Sequence, residues 1–239
     1  MRATISRVVD PFLEEADRVL AGGYSAMLYG SATRNDFVPG RSDINLMLVL
    51  DELSPAVLRS LSRAFTGWRK ATREPPLILS RSELARATDA FPIEITDMRL
   101  SYQVLRGSDP LQGVTVDPTD LRKALEREFR GKLLRLRQGY ATYAPEPAAL
   151  GRLGLESAAT ILVLLRGMLM LMGKPVPAEP AQLAVAAAGA AGFDAEHLLH
   201  VVRHRSDREW RCGAAEFENY MNAVEQAARF LDQLQLGDQ

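Results

Sequence analysis

The chain has 239 residues, of which 29 are basic and 30 are acidic, so its formal net charge is −1. This length allows one large domain or two modest ones. The balanced charge provides no general attraction to nucleic acid or to an anionic membrane, which argues against both as partners. A single cysteine, Cys212, excludes an internal disulfide and favours a reducing cytoplasmic location.

The first half of the chain alternates helix and strand signals. Residues 11–21 are amphipathic and end at a Gly-Gly pair, which predicts a helix. The segments YSAMLY and INLMLVL predict two buried strands separated by a loop that contains Pro39 and Gly40. A helix is predicted from Ser54-Pro55 to about residue 70, then a short strand PPLILS and a short helix over residues 82–88. The segment FPIEITDM predicts a further strand, because Ile93 and Ile95 alternate with Glu94.

The second half has no strand signal. From residue 118 onward, apolar residues recur at helical spacing, and Pro- and Gly-containing breaks predict four or five helices in a bundle. The apolar run AATILVLLRGMLMLMG contains Arg166 and is shorter than the roughly 20 residues of a membrane span, so we interpret it as a buried helix. The N-terminal segment lacks the apolar core of a signal peptide, and neither export nor a membrane partner is expected. We predict an α+β domain over residues 1–115 and an all-α domain over residues 116–239.

A phosphate-binding turn is predicted where the first strand ends. Gly30 and Ser31 follow YSAMLY, and a turn from a strand into a helix offers backbone N–H groups and a hydroxyl to an anion. Asp43 and Asn45 are two residues apart at the start of the next strand, so both side chains point to the same face. Oxygen ligands beside bound phosphates are what Mg²⁺ requires to hold a nucleoside triphosphate.

Glu94 supplies a further carboxylate. It lies in a segment that otherwise reads as buried, where an acidic side chain is costly unless it is paired or binds a metal. Asp97 is the fallback for the same role.

These residues resemble the DNA polymerase beta-like nucleotidyltransferase superfamily, especially its small bacterial members and the aminoglycoside nucleotidyltransferases. The shared pattern is Gly-Ser, a loop of about a dozen residues and Ser-Asp-x-Asp in an apolar strand; here it reads Gly30-Ser31 and then Ser42-Asp43-Ile44-Asn45. The resemblance implies a mixed sheet with helices followed by a helical bundle, and an active site in a cleft between the two domains.

The resemblance also implies roles for these residues. Gly30, Ser31 and Ser42 would bind the triphosphate, while Asp43, Asn45 and Glu94 would hold Mg²⁺ or Mn²⁺. The implied reaction transfers a nucleoside monophosphate from a triphosphate, by family habit ATP, to a hydroxyl of a small molecule or a protein, and releases pyrophosphate.

Asn45 departs from the family pattern, which has a carboxylate at this position. An amide oxygen can bind Mg²⁺ but carries no charge, and losing one charge about 4 Å from the ion forfeits on the order of several kcal/mol at an effective dielectric near 20. Three hypotheses follow: a slower enzyme, an enzyme compensated by Asp36 or Asp97, or a catalytically silent nucleotide-binding protein with a regulatory or partner role. The intact residues around Asn45 favour an enzyme.

Further site candidates lie outside the motif. Arg34 directly follows the Gly-Ser turn and is a candidate phosphate contact. The basic helix over residues 120–140 offers Lys132 and Arg130 for the same purpose, although a solvated polar face explains most of its charges. Glu156, at the expected start of an apolar helix, is the candidate general base for the acceptor hydroxyl. The alternative is a purely structural role, because the helix dipole favours an acidic residue at a helix start.

All three histidines occur in EHLLHVVRHR. His197, His200 and His204 share one face of a predicted helix, a spacing that can bind a metal, although no further acidic motif accompanies it. A polar face near the acceptor pocket or a surface stripe is the favoured interpretation. The acceptor and the oligomeric state are not readable from the sequence.

Overall fold

The computed structural model describes residues 2–34, 43–72 and 74–236. It divides into two compact units, Met1–Thr115 and Val116–Gln239. The first contains a mixed sheet with helices and the second is helical. The predicted α+β class is confirmed.

The first unit is built on a four-stranded sheet. Its strands are β1 (Tyr24–Tyr29), β2 (Asn45–Leu50), β3 (Leu77–Ser80) and β4 (Tyr102–Arg106), in the order β3-β2-β1-β4. The strand β1 is antiparallel to both β2 and β4, whereas β2 and β3 are parallel. β1 and β2 occupy the centre, which explains why both read as almost continuous apolar runs.

Five helices accompany this sheet in the described residues. They are α1 (Arg2–Leu20), α2 (Pro55–Ser60), α3 (Ser62–Trp68), α4 (Arg81–Ala90) and α5 (Pro92–Leu100). Alternate residues of β1 and β2 point to opposite faces: Leu28 and Leu48 join the core formed with α1 and α3, while Met27 and Met47 pack with Leu84 of α4 and Met98 of α5. Apolar burial on both faces therefore fixes the register of the two central strands.

The second unit consists of five helices in its described part. They are α6 (Pro118–Tyr143), α7 (Pro147–Leu171), α8 (Pro180–Ala191), α9 (Glu196–His204) and α10 (Ala214–Gln233). The helix α7 packs against the other four. Its length and composition would allow it to cross a membrane, but more than half of its most apolar stretch is buried inside the unit. Such burial is typical of the central helix of a bundle.

The structure corrects the strand predicted at FPIEITDM, which is the helix α5. Pro92 occupies its first turn, where the fixed φ of proline favours a helix. The buried residues Ile93, Ile95, Thr96 and Met98 follow a helical stripe, and the Ile-Glu-Ile alternation is only a short part of it. The fourth strand is instead the next segment, β4, which the sequence analysis missed.

Two smaller boundaries also differ. The helix predicted from Ser54 to about residue 70 is divided into α2 and α3, and α1 begins near the N-terminus and contains Pro11. Ser54 caps α2 by accepting a hydrogen bond from Val57 N–H, as its position before Pro55 predicts.

Candidate functional site

Three strand ends meet at one edge of the sheet in the first unit. Tyr29, the last residue of β1, pairs with Asn45, the first residue of β2, and with Tyr102, the first residue of β4. Because both neighbours run antiparallel to β1, their first residues lie beside its last one. This edge, from here on the site edge, collects the residues that follow β1, precede β2 and precede β4.

The turn at the end of β1 is short and specific. Gly30 has φ +73°, a left-handed conformation that glycine adopts without steric cost. A single 3₁₀ turn, Gly30–Ala32, follows in place of the helix that the sequence predicted. Three residues generate little macrodipole, so the attraction for an anion has to come from side chains and individual N–H groups.

Thr33 connects this turn to the rest of the site edge. Its Oγ1 lies 2.9 Å from the carbonyl oxygen of Gly30 and 2.8 Å from that of Ser101, the residue before β4. The backbone N–H of Arg34 donates to the carbonyl oxygen of Ser31. These hydrogen bonds fix the position of the turn relative to two strands.

Asn45 packs directly against Gly30. A Cβ atom placed on Gly30 would lie 2.8 Å from Nδ2 of Asn45, closer than real Cβ contacts. Glycine is therefore required at position 30 both for its backbone conformation and for the space that the amide occupies. Asn45, the residue that departs from the expected motif, therefore contacts the Gly30 turn directly.

Asp43 and Asn45 lie on either side of a buried residue. Asp43 is exposed, Ile44 is buried and Asn45 is partly buried at the start of β2. This alternation is the one expected when the two polar side chains share a face opposite to Ile44. Ser42 and Asp36, the other residues assigned to this region, lie outside the described residues.

Arg34 and Asp97 form an ion pair beside the turn. Their Nη1 and Oδ2 atoms are 3.6 Å apart, and the side chains retain only 11% and 17% of their accessible surface. Asp97 lies on α5, so a residue remote in sequence holds the guanidinium of the arginine that follows the turn. A partly buried arginine in this place can receive a phosphate group.

Glu94 lies on α5, three residues before Asp97, and is exposed. The reason given for it, burial in a strand, is therefore wrong. Both carboxylates nevertheless influence the site edge electrostatically. The pKa of the Tyr29 hydroxyl is raised above its ordinary value of 10.0, mainly by burial and further by the negative charges of Asp97 and Glu94. Tyr29 remains protonated at neutral pH and can donate a hydrogen bond.

The residues of the site edge fit a hard divalent cation bound together with its substrate. Asp43 supplies a carboxylate and Asn45 an amide oxygen, and Mg²⁺ in proteins uses one or two such ligands and completes its shell with phosphates and water. Within the described residues, no three His, Cys, Asp or Glu ligand atoms converge here. Cation binding at this edge would therefore depend on the triphosphate.

Three candidates lie on helices of the second unit. Lys132 is partly buried on α6, whereas Arg130 on the same helix is bound to Glu126 and Asp232. Glu156 is exposed in the third turn of α7, because this helix begins at Pro147 and not near Gly154. The helix dipole does not account for an acid at this position, since its effect is confined to the first turn. The roles of all three residues stay predictions.

Sequence reasoning missed Tyr29 and Thr33. No local pattern in the sequence indicates the role of Thr33, because its partner Ser101 is 68 residues away. Tyr29 had a weak one: it ends a strand directly before the Gly-Ser turn, where its side chain can border whatever the turn binds.

A comparison with solved structures supports the fold. No protein-family model matches the chain, and no curated protein has significant sequence similarity to it. Among solved structures, the crystal structure of spectinomycin adenyltransferase AAD(9) from Enterococcus faecialis with ATP and spectinomycin matches with a TM-score of 0.57 and 13% identity. The match covers 94% of this chain and 99% of that one. The resemblance to nucleotidyltransferases of the aminoglycoside type is thereby confirmed at the level of fold: this chain has a nucleotidyltransferase fold followed by a helical unit.

Proposed function

We propose that the protein is a divalent-metal-dependent nucleotidyltransferase that moves a nucleoside monophosphate from a triphosphate, ATP in the first instance, to a hydroxyl of a small molecule. The observation that carries this proposal is the site edge, where the Gly30 turn, Asn45 and the Arg34–Asp97 pair lie together. The adenyltransferase fold supports the same reaction class, and the complex of that neighbour with ATP and spectinomycin supports a small acceptor. A hydroxyl on a protein remains a second acceptor class, and a cytoplasmic location belongs to the proposal.

The triphosphate would be bound by the turn and by Arg34. The Ser31 hydroxyl and the backbone around Gly30 offer hydrogen bonds to phosphate oxygens, and Arg34 offers a cation. Asp97 keeps the guanidinium in place and limits its freedom, which lowers the entropic cost of binding. Tyr29, protonated because of its raised pKa, is a further donor at this edge.

The metal would be held by Asp43 and Asn45, with Glu94 or Asp97 as the third ligand. When bound, Mg²⁺ or Mn²⁺ would neutralise the phosphates and stabilise the charge that develops at the α-phosphorus. In the reaction, the acceptor oxygen forms a bond to the α-phosphorus and the bond to the β-phosphate oxygen breaks, releasing pyrophosphate. Glu156 is the proposed acceptor of the hydroxyl proton, and Lys132 a further phosphate contact.

Asn45 favours one alternative function, a nucleotide-binding protein without catalysis. A neutral ligand weakens the hold on the metal, and the site edge has no convergent group of three carboxylates in the described residues. Such a protein would bind nucleotide through Ser31 and Arg34 and act as a regulatory or partner protein.

The test is pyrophosphate release from each nucleoside triphosphate with Mg²⁺ or Mn²⁺ over a panel of hydroxylated acceptors. The native protein is compared with Asp43→Ala, Asn45→Asp and Glu156→Gln under identical conditions, and nucleotide binding is measured by calorimetry. Asp51→Ala is the matched control, because Asp51 directly follows β2 at its other end.

Turnover in the native protein that Asp43→Ala abolishes and Asp51→Ala retains supports the transferase. Nucleotide binding without turnover, with activity only in Asn45→Asp, supports the silent alternative. If no variant binds or turns over nucleotide, both functions are wrong. A lower kcat in Glu156→Gln at unchanged nucleotide affinity is the expected result for the base.

A further inference from the structure

Three side chains of ligand type converge in the second unit. They are His200 on α9, Cys212 in the connection between α9 and α10, and Glu216 in the first turn of α10. One ligand atom from each lies within 4.8 Å of the other two. The helical spacing of the three histidines does not reveal this group, because only one of them belongs to it.

The distances within this group suit a small transition-metal ion. Nε2 of His200 lies 3.4 Å from a carboxylate oxygen of Glu216. Ligand atoms bound to one tetrahedral Zn²⁺ at about 2.0–2.3 Å are roughly 3.3–3.8 Å from one another. The other two separations are at most 4.8 Å, so any that exceed this range would have to be shortened by side-chain rotation.

The ring nitrogen of His200 is the second indication of a ligand. Nε2 is buried, yet among the described residues it has no hydrogen-bond partner, even though Glu216 is near. A buried polar atom without a hydrogen bond is rare and costly. A bound cation would satisfy the nitrogen and the carboxylate at the same time.

The surrounding backbone holds the cysteine and the glutamate in place. The N–H of Cys212 donates to the carbonyl oxygen of Pro147 at the start of α7. A Cβ on Gly151 would collide with the carbonyl oxygen of Trp210, so this segment packs closely against α7. The other carboxylate oxygen of Glu216 accepts a hydrogen bond of 2.7 Å from Gly213 N–H, which orients the side chain.

The remaining histidines have other surroundings. The ring of His204 stacks on Trp210 at 4.9 Å, and its Nδ1 lies 2.7 Å from the carbonyl oxygen of His200. His197 faces Asp194 at 4.0 Å. Both therefore border the group without joining it.

We propose that His200, Cys212 and Glu216 bind one Zn²⁺ ion, with water or a further small ligand in the fourth position. The combination of imidazole, thiolate and carboxylate is one that Zn²⁺ accepts, whereas Mg²⁺ prefers oxygen ligands alone. The ion would join α9 to the start of α10 and stabilise this end of the bundle.

Binding would release a proton from the thiol. Burial, and secondarily the nearby charge of Glu216, raise the pKa of Cys212 to about 12, so the metal-free thiol is protonated at neutral pH. The sulfur becomes a thiolate only when the metal displaces this proton. Without metal, Cys212 is accordingly a poor nucleophile.

The test uses tag-free full-length protein that has been stripped with a chelator and titrated with Co²⁺ and then with Zn²⁺. A thiolate-to-cobalt charge-transfer band that saturates at one ion per chain, and that Zn²⁺ abolishes, is the expected result. Zn²⁺ should also release protons and raise the urea midpoint of the protein. Oxygen-only binding at the nucleotide site produces no thiolate band, so the two sites are distinguishable.

The variants separate ligation from folding. Cys212→Ser should lose the charge-transfer band. His200→Gln and Glu216→Gln should each weaken Zn²⁺ binding by at least about 10- to 100-fold, the loss that is typical when a residue that only supports a metal ligand is changed. Glutamine at position 216 can still accept from Gly213 N–H, so the helix cap is retained. His197→Gln, on the same helix and of similar exposure, is the matched control and should bind as the native protein does.

Two outcomes would overturn the proposal. One is a native protein with no charge-transfer band and no Zn²⁺ effect on stability. The other is that Glu216→Gln and His200→Gln bind Zn²⁺ as tightly as the control variant His197→Gln. His200 is partly exposed and Glu216 is exposed, so the variants at these two positions should fold. Their result does not depend on whether Cys212→Ser folds.

Discussion

The site edge of the first unit and the helical bundle of the second use polar residues in opposite ways. At the site edge, the ends of β1 and β2 bring Gly30 and Asn45 into contact. In the bundle, the hydroxyls of Ser157 and Tyr220 are buried and bound to each other at 2.8 Å. Under the proposed function, the polar groups in the first case contact a ligand, whereas those in the second are enclosed by apolar packing. Substitutions should therefore affect binding in one region and stability in the other.

The largest effect on stability is expected from Phe129→Ala in the bundle. Phe129 on α6 is fully buried, and its truncation should lower the free energy of unfolding by about 3–5 kcal/mol. Leu134→Ala on the same helix is the control, because Leu134 is 58% exposed and should change stability by no more than about 0.5 kcal/mol. Urea denaturation measures both. Equal effects would mean that α6 is not packed as described.

Gly30→Ala should have a smaller effect on stability but a larger one on binding. The left-handed backbone conformation costs alanine about 1–2 kcal/mol, and its Cβ displaces Asn45 as well. Nucleotide affinity should fall at least tenfold in calorimetry. Gly22→Ala is the matched control. Gly22 has φ +88° and nothing within 4 Å of the added Cβ, so this substitution has the backbone cost without a steric clash. If both variants bind nucleotide equally, the contact with Asn45 has no role.

The buried hydroxyl pair should respond unequally to the loss of either partner. Ser157 Oγ also lies 2.8 Å from the carbonyl oxygen of Gly154, so Tyr220→Phe leaves it bonded and should cost about 1 kcal/mol. Ser157→Ala leaves the buried Tyr220 hydroxyl without this partner and should cost about 1–3 kcal/mol. The urea midpoints of the two variants and of the double variant measure the difference. A larger loss in Tyr220→Phe would contradict this arrangement.

The smallest effect is confined to alkaline pH. Burial raises the pKa of the Tyr220 hydroxyl above its ordinary value of 10.0. The folded state therefore retains this proton more tightly than the unfolded state. The resulting stability is fully present below pH 10 and is lost as the pH rises toward the folded-state pKa. Tyr220→Phe should lose less stability at alkaline pH than the native protein does. The free energies of unfolding of the two proteins should therefore converge above pH 10. Parallel curves would mean that the hydroxyl is not buried.

The prediction of the fold from sequence succeeded where the signal was local and long. The apolar runs of β1 and β2 and the helical periodicity of α6 and α7 are determined by burial of nearby side chains, which a single sequence displays. It failed at α5, where Ile93, Glu94 and Ile95 fit both a strand and a helix. It failed again at β4, which is half-buried at the sheet edge and weakly patterned.

The sequence alone determined the Gly-Ser turn, the spacing of Asp43 and Asn45, and the change from a mixed sheet to helices, because these depend on residues close together in the chain. Only the tertiary structure decided that Asp97 pairs with Arg34, that Thr33 reaches Ser101, and that His200 lies near Cys212 and Glu216. Each of these contacts joins separate elements. Their formation depends on packing between helices and strands, which no local pattern of residues records.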